Sequence, residues 1–513
     1  MVMSASSHPY PSSKLPFVLS SPALAKTPNE AGLNVRKVDD FELKNVAQAA
    51  SAATMIGQAE KFLKQRVRGE SVKLSTLSTF GSVTHGNKVS QGLDREYFTE
   101  MMLPAIRNAK DSVHIAMLSM DGGRFPNYVA DLLIAKKQEN PDFQVRIIAD
   151  DVGSAMPFGL GKGAALIEKL EKAGIDVELN IMARDGMEHR KVVIVDGERA
   201  FFGGACLSDP YFASDKLFKA LDELPGERRA EAYEVLWSGG DVSSFVPGLS
   251  EREVERPDWQ DYGVEVSGAV VQQLQANFFQ TWALQGGVVK ASEFENFRSR
   301  YFPPAPAVGD VSMNLSFAMP KGPSELRRSL LSTINSASET LDIEMAYIFE
   351  DEFIDALVRA AERGVKVRLV TNSLKGIDFF VSWHLNREGY EQLLKAGVEV
   401  YETQTYTHRK QVVADGRFVY VSTGNPEYNS WERGFDINAI MDSPELAEVV
   451  TKSIETGVEP SRGNLVTSTA LANESLWTRF QTWFFGLLGG IFLRSKDHSQ
   501  ESLGLVGLKQ LPS

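Results

Sequence analysis

The chain is 513 residues long, 43% hydrophobic, and carries a formal net charge of −13. That is enough apolar material for two α/β domains with decorations, and the acidic balance disfavours a nucleic-acid enzyme, a class that leans on a basic surface. A single cysteine, Cys206, excludes an intrachain disulfide and a multi-cysteine metal site.

In chain order, residues 1–89 read as an N-terminal tail with a lead-in helix. The first part is rich in Ser, Pro and Ala, and the apolar piece LPFVLSSPALA at 15–25 is broken by two serines and a proline, which reads as a tail rather than a secretory signal. A first α/β unit spans 90–301. It opens on the helix-like EYFTEMMLPAIRNAKDSVHIAML (96–118), continues through VRIIADD (145–151) and LIEKLEKAGIDVEL (166–179), and reaches HRKVVIVDGERAFFGG at 189–204. DVSSFVPGLSEREVERPD (241–258) reads as an irregular loop, and 302–312, with FPPAPAVGD, as the linker. A second unit, 313–460, repeats the pattern with SELRRSLLSTINSASETLDIEMA (324–346), VKVRLVTNS (365–373), YEQLLKAGVEVYE (390–402) and HRKQVVADGRFVYVST (408–423). Short β-branched runs alternating with helical stretches predict a layered α/β unit, made twice, with its sheet covered on both faces. The remainder, 461–513, is a tail containing the most apolar stretch of the chain, LWTRFQTWFFGLLGGIFLRSK (476–496). It falls short of the ~20 residues that span a bilayer, and its tryptophans with flanking Arg479, Arg494 and Lys496 suit a helix lying in the lipid interface. Gly486, Gly489 and Gly490 weaken any helix there.

The two motif segments share H-x-K-x4-D: His189, Lys191 and Asp196, then His408, Lys410 and Asp415. Only 7 residues of the chain are histidine, so two in one repeated pattern mark a duplication that carries chemistry. Paired histidines and lysines are what phosphodiester transfer needs. One imidazole attacks phosphorus, the other protonates the leaving group, and two ammoniums neutralise the phosphate oxygens. On a strand, residues two apart share a face, so each Lys joins its His while Arg190 and Arg409 point the other way, toward scaffold ion pairs. Asp196 and Asp415 are counted with the catalytic set, although Asp-Gly at a strand end is equally what a hairpin turn requires. The other histidines (His8, His85, His114, His384 and His498) show no metal-ligand spacing, so no metal and no cofactor is expected. His384 reads as a helix-surface residue and Tyr347 as a strand aromatic near the site.

On these motifs the sequence resembles the phospholipase D superfamily, and within it the bacterial cardiolipin synthases and related phosphatidyltransferases. RIIADDVGS (146–154), GGACLSDPY (203–211), the segment 259–282, AYIFEDE (346–352) and FDINAIMDSPELAEVV (435–450) carry the closer likeness. The resemblance implies two duplicated phospholipase D-like α/β sandwich domains about a pseudo-twofold axis, sharing one active site. It implies a covalent phosphohistidine, read here as His189, with His408 as general acid and then base. It places Asp261 and Asp436 as the acids that orient the imidazoles, and Lys191, Lys410 and Asn425 on the substrate phosphate. Cys206 stands where the first half would carry the equivalent of Asn425, and a thiol donates a hydrogen bond much more weakly than an amide. The expected activity is phosphatidyl transfer of the cardiolipin synthase type to an alcohol acceptor. A hydrolytic phospholipase D, which differs only in admitting water, and a non-catalytic membrane-bound scaffold are the alternatives, with a nuclease disfavoured. The expected partner is a phospholipid such as phosphatidylglycerol, met by peripheral contact with the membrane through 476–496, with no nucleic acid.

Overall fold

The computed structural model describes residues 50–155, 163–322 and 324–492, within the unit Leu43–Ser513. The apolar piece at 15–25, Arg494 and Lys496 lie outside the described residues. In the first half the strands are β1 (Thr84–Leu93), β2 (Ser112–Met117), β3 (Gln144–Asp150), β4 (Asp176–Asn180), β5 (Met187–Glu188), β6 (Lys191–Val195), β7 (Arg199–Gly203), β8 (Trp259–Gln260) and β9 (Tyr262–Ser267). The second half supplies β10 (Val311–Ala318), β11 (Thr340–Met345), β12 (Lys366–Asn372), β13 (Glu399–Thr403), β14 (Tyr406–Thr407), β15 (Lys410–Ala414), β16 (Phe418–Ser422), β17 (Gly434–Asp442) and β18 (Gly463–Leu465).

All but β8 and β14, which pair only with each other, form one sheet in the order β18-β13-β12-β11-β15-β16-β17-β10-β1-β9-β7-β6-β2-β3-β4, with β5 attached to β17. Read outward from the middle, β1-β9-β7-β6-β2-β3-β4 and β10-β17-β16-β15-β11-β12-β13 are the same arrangement built twice. The halves join where β1 pairs antiparallel with β10, Asn87 opposite Val311. Parallel neighbours need long crossovers. Helices Arg124–Glu139 and Ala164–Lys172 supply them in the first half, and Asp351–Glu362, Phe380–Glu388 and Tyr390–Ala396 in the second. Strands β2, β3, β6 and β15 are buried at every position, as sheet covered on both faces requires.

One hydrophobic core lies under the outer helices of each half, and a third runs across the junction. In that third core helix Ala269–Gln285 is buried almost throughout, because the lead-in helix Ala52–Val67 covers it with Met55, Ile56, Ala59, Phe62 and Leu63. Strand β1 starts at Thr84, so the division drawn at 89/90 falls inside a strand that belongs to the sheet.

Two short parallel pairings cross between the halves and decide where the site forms. Strand β5 pairs with β17, Glu188 opposite Phe435, and β14 pairs with β8, Thr407 opposite Gln260. Each sits directly ahead of a motif histidine.

Candidate active site

Each motif histidine hangs from the backbone of the other half. The N–H of His189 donates to the Phe435 carbonyl at 3.0 Å, and that of His408 to the Gln260 carbonyl at 2.8 Å. The side chains cross in the same sense. Nδ1 of His189 lies 2.9 Å from Asp436 Oδ1, and Nδ1 of His408 lies 2.7 Å from Asp261 Oδ2. The carboxylate only accepts, so each ring carries its proton on Nδ1 and leaves Nε2 with a free lone pair. Thr423 Oγ1 donates to the same Asp436 oxygen at 2.6 Å, while the N–H of Tyr262 donates to Asp261 Oδ1 at 2.8 Å.

Lys191 and Lys410 are 2% and 0% exposed. Lys191 Nζ donates to the His189 carbonyl at 2.6 Å and approaches that of Thr423 at 3.5 Å. Lys410 Nζ donates to the His408 carbonyl and lies 3.0 Å from His408 Nδ1. Two imidazoles and two ammoniums are thus drawn together, one of each from either half.

Burial sets the electrostatics. It pushes His189 down to about 4 and His408 well below the ordinary histidine range, with the nearby lysines adding to the effect. It pushes Lys410 down to about 7. Asp261 is raised by burial to about 7. Burial acts on Asp436 in the same direction, but His189, with its hydrogen bond, and Lys191 outweigh it and hold this carboxyl below its usual range. These shifts favour the neutral rings, and a phosphate anion beside them favours their protonated forms.

Arg190 and Arg409 point away from this cluster. Arg190 pairs with Glu188 and donates to Asn277 at 2.7 Å and Thr281 at 3.1 Å. Arg409 reaches Glu344 at 3.6 Å and Asp94 at 3.4 Å. The pairs with Glu188 and Glu344 are buried on both sides, whereas Asp94 is partly exposed, and together they hold the arginine that follows each histidine.

Asp196 and Asp415 do not belong to the site. Each lies at the far end of its motif strand, about 16 Å from the Lys at ~3.3 Å per residue. Asp196 accepts from the N–H groups of Lys110, Asp111 and Ser112 at 2.8, 2.8 and 2.9 Å. Asp415 does the same for Ser338, Glu339 and Thr340 at 3.0, 2.7 and 3.1 Å. Both adopt the left-handed conformation, φ 54° and 52°, ahead of Gly197 and Gly416. They tie the motif hairpin to the start of β2 and of β11, so counting them as catalytic is corrected to a structural role. Asp196→Ala is expected to cost about 1–3 kcal/mol of stability, by stranding three donors, and to leave kcat of the folded protein within about threefold. Thermal melting beside a turnover assay checks both parts.

Asn425 is 4% exposed and its Oδ1 has no protein partner among the described residues. Cys206 is fully buried, and burial pushes its thiol up, with the Tyr211 hydroxyl and the Ser119 backbone as neighbours. A thiol held protonated and out of solvent is inert. A wall of aromatic rings around His408 has no counterpart in the sequence reading apart from Tyr347. The centroids of Tyr211, Tyr406, Trp259 and Tyr347 lie 5.6, 5.9, 6.3 and 6.5 Å from the imidazole. Trp259 and Tyr406 stand two residues before Asp261 and His408, and that same-face spacing is a signal that could have found them. Tyr211 carried no such signal.

The two halves pool one His and one Lys each in a single cluster, on a duplicated α/β fold. A family profile described as "Cardiolipin synthase, PLD-like domain" matches residues 102–216 and 330–457, one stretch in each half. Both halves are thus similar to the phospholipase D superfamily, and within it to the cardiolipin synthases. It is 26% identical over 353 residues to a cardiolipin synthase of Alkalihalophilus pseudofirmus, covering 66% of this chain and 60% of that relative. A cardiolipin synthase of Oceanobacillus iheyensis is 25% identical over 389 residues, 74% of this chain and 70% of that one. Among solved structures, the phosphatidylserine synthase of Haemophilus influenzae Rd KW20 shares the fold with a TM-score of 0.56 at 13% identity, covering 85% of this chain and 98% of its own.

Proposed function

We propose that the protein is a phosphatidyltransferase of the cardiolipin synthase type, working through a phosphohistidine. The observation that carries this reading is the crossed pair of buried imidazoles, each held by the other half's carboxylate and each beside a buried ammonium. His189 Nε2 attacks phosphorus, the P–O bond to the headgroup alcohol breaks, and His408 delivers a proton to the departing oxygen. His408 then removes the proton of the acceptor alcohol, whose oxygen attacks phosphorus and releases His189. Lys191, Lys410 and Asn425 neutralise and orient the phosphate oxygens. Cys206 withdraws one strong donor from the first half, which lowers the rate without removing either reacting imidazole.

A lipid substrate brings the protein to a bilayer. No described helix is long and apolar enough to cross a membrane. Helix Leu476–Phe492 leaves Trp477, Phe480, Trp483 and Phe484 exposed on its outer side, which supports peripheral contact in the plane of the interface. The test is mass-spectrometric product analysis with phosphatidylglycerol vesicles. Cardiolipin with free glycerol is the expected outcome. Phosphatidic acid alone makes the enzyme a hydrolase, and no product from any common phospholipid overturns catalysis in favour of a scaffold.

A further inference from the structure

Helix Leu476–Phe492 turns its narrow side to the protein. A Cβ at Gly486 would lie 2.5 Å from Glu388 Oε2, and one at Gly489 2.3 Å from Leu385 Cδ2, so glycine at these two positions allows the close packing on helix Phe380–Glu388. The seam is completed by Phe485, whose ring lies 5.4 Å from Phe380 and stacks on His384 at 5.4 Å. His384, expected on a helix surface, is 3% exposed and its Nδ1 lies 2.9 Å from Thr482 Oγ1. The residues that weaken a helix in water are therefore the ones that dock it, and the large apolar side chains face outward at helical spacing.

The loop ahead of helix Phe380–Glu388, taken with that helix's first residue, extends this face. Leu374, Phe379 and Phe380 are 50%, 56% and 49% exposed. Among the described residues, ten of the fifteen exposed large hydrophobics, and all the exposed aromatics, belong to this loop and the helix. Scattered apolar residues are normal on a surface, whereas a concentration of this kind marks an interaction site. The same loop touches the active site. Asp378 accepts from the Tyr347 hydroxyl at 2.7 and 2.8 Å, and that hydroxyl lies 2.8 Å from the one on Tyr406. Both rings belong to the wall around His408.

We propose that Leu374, Phe379 and Phe380 form, with the outer side of helix Leu476–Phe492, one bilayer-docking face, and that this loop is the lip over which a lipid phosphodiester reaches the His408 side of the site. The inference rests on the lipid-transferase reading for the identity of what crosses the lip. It rests on geometry for the lip itself, because the apolar face and the imidazole wall are joined through Asp378. A bilayer is the occupant this continuity favours, since a face used to bind another protein has no need to run into the catalytic wall.

The experiment compares the parent protein with a Phe379→Ser/Phe380→Ser variant. Binding is read by co-sedimentation with vesicles of phosphatidylglycerol and phosphatidylcholine. Turnover is read on the same vesicles and on dihexanoyl phosphatidylglycerol below its critical micelle concentration. The variant is expected to lose about tenfold or more in vesicle binding and a similar factor in vesicle turnover, while turnover of the monomeric lipid falls far less. Unchanged vesicle binding overturns the docking face. Weakened binding with undiminished vesicle turnover overturns the lip. A parent dimer that falls apart in the variant, with vesicle binding intact, assigns the face to a second copy instead. If the loop variant does not fold, Trp483→Ser on the outer side of the helix repeats the binding comparison. Absence of product from every lipid defeats the transferase reading alone, since sedimentation still reports on docking.

Discussion

His189→Ala and His408→Ala are each expected to lower phospholipid turnover by about 10⁴-fold or more, and to fail in different ways. Without His189 no covalent intermediate forms. Without His408 the intermediate has no acid to assist departure of the alcohol and no base to activate the acceptor. A phosphodiester with nitrophenol as its leaving group needs no acid. With that substrate His408→Ala should release one equivalent of nitrophenol per enzyme and then stall, whereas His189→Ala should release none. The assignment is the one the family resemblance implies. Each carboxylate takes a second hydrogen bond, Asp436 from the Thr423 hydroxyl and Asp261 from the Tyr262 N–H. Burial raises Asp261 while the groups around Asp436 hold it below its usual range, an asymmetry that fits the proposed roles. A burst from His189→Ala and none from His408→Ala reverses the roles. Near-full phospholipid turnover by either variant removes the two-histidine mechanism altogether.

The reach of sequence reasoning follows from how local each feature is. The alternation of strands with helices and the facing of His and Lys away from Arg depend on spacings of two to about fifteen residues, the duplication is the recurrence of such local phrases in the second half, and the structure shows them. The motif aspartates are local too, but their spacing misleads. Five positions along a strand is far enough to leave the phosphate entirely, and the left-handed turn at Asp196 and Asp415 uses the carboxylate to bind backbone. What spacing could not give is the crossing. Asp436 is named by its phrase, yet that it meets His189 and not His408 depends on β5 pairing with β17 across the junction. The aromatic wall is partly of the same kind: spacing points to Trp259 and Tyr406, but only the fold brings Tyr211 from one half and Tyr347 from the other around the same ring. Gly486 and Gly489 reverse a propensity argument outright, because close packing on helix Phe380–Glu388 outweighs their poor fit to an isolated helix.

The crossing yields the second large effect. Asp436→Asn and Asp261→Asn are each expected to lower kcat by about 10²–10⁴ with KM little changed, since neither carboxylate is placed on the phosphate. Asparagine keeps the shape and removes the charge, so thermal melting should stay close to that of the parent, and the loss should belong to the imidazole across the junction. Double variants read out which imidazole that is. Asp436→Asn should add almost nothing to His189→Ala, because the group it orients is already gone. On the nitrophenol substrate, Asp436→Asn should slow the burst itself by impairing the nucleophile of the first half. Asp261→Asn should leave the burst and slow the steady state that follows, by impairing the base of the second. If instead each asparagine disabled the histidine of its own half, the carboxylates would not be crossed in the working enzyme. A single site then could not be argued from the hydrogen bonds that join the halves. If the crossed pattern holds, neither half is catalytic alone, and the duplication is kept because each copy supplies the acid that the other copy's histidine requires.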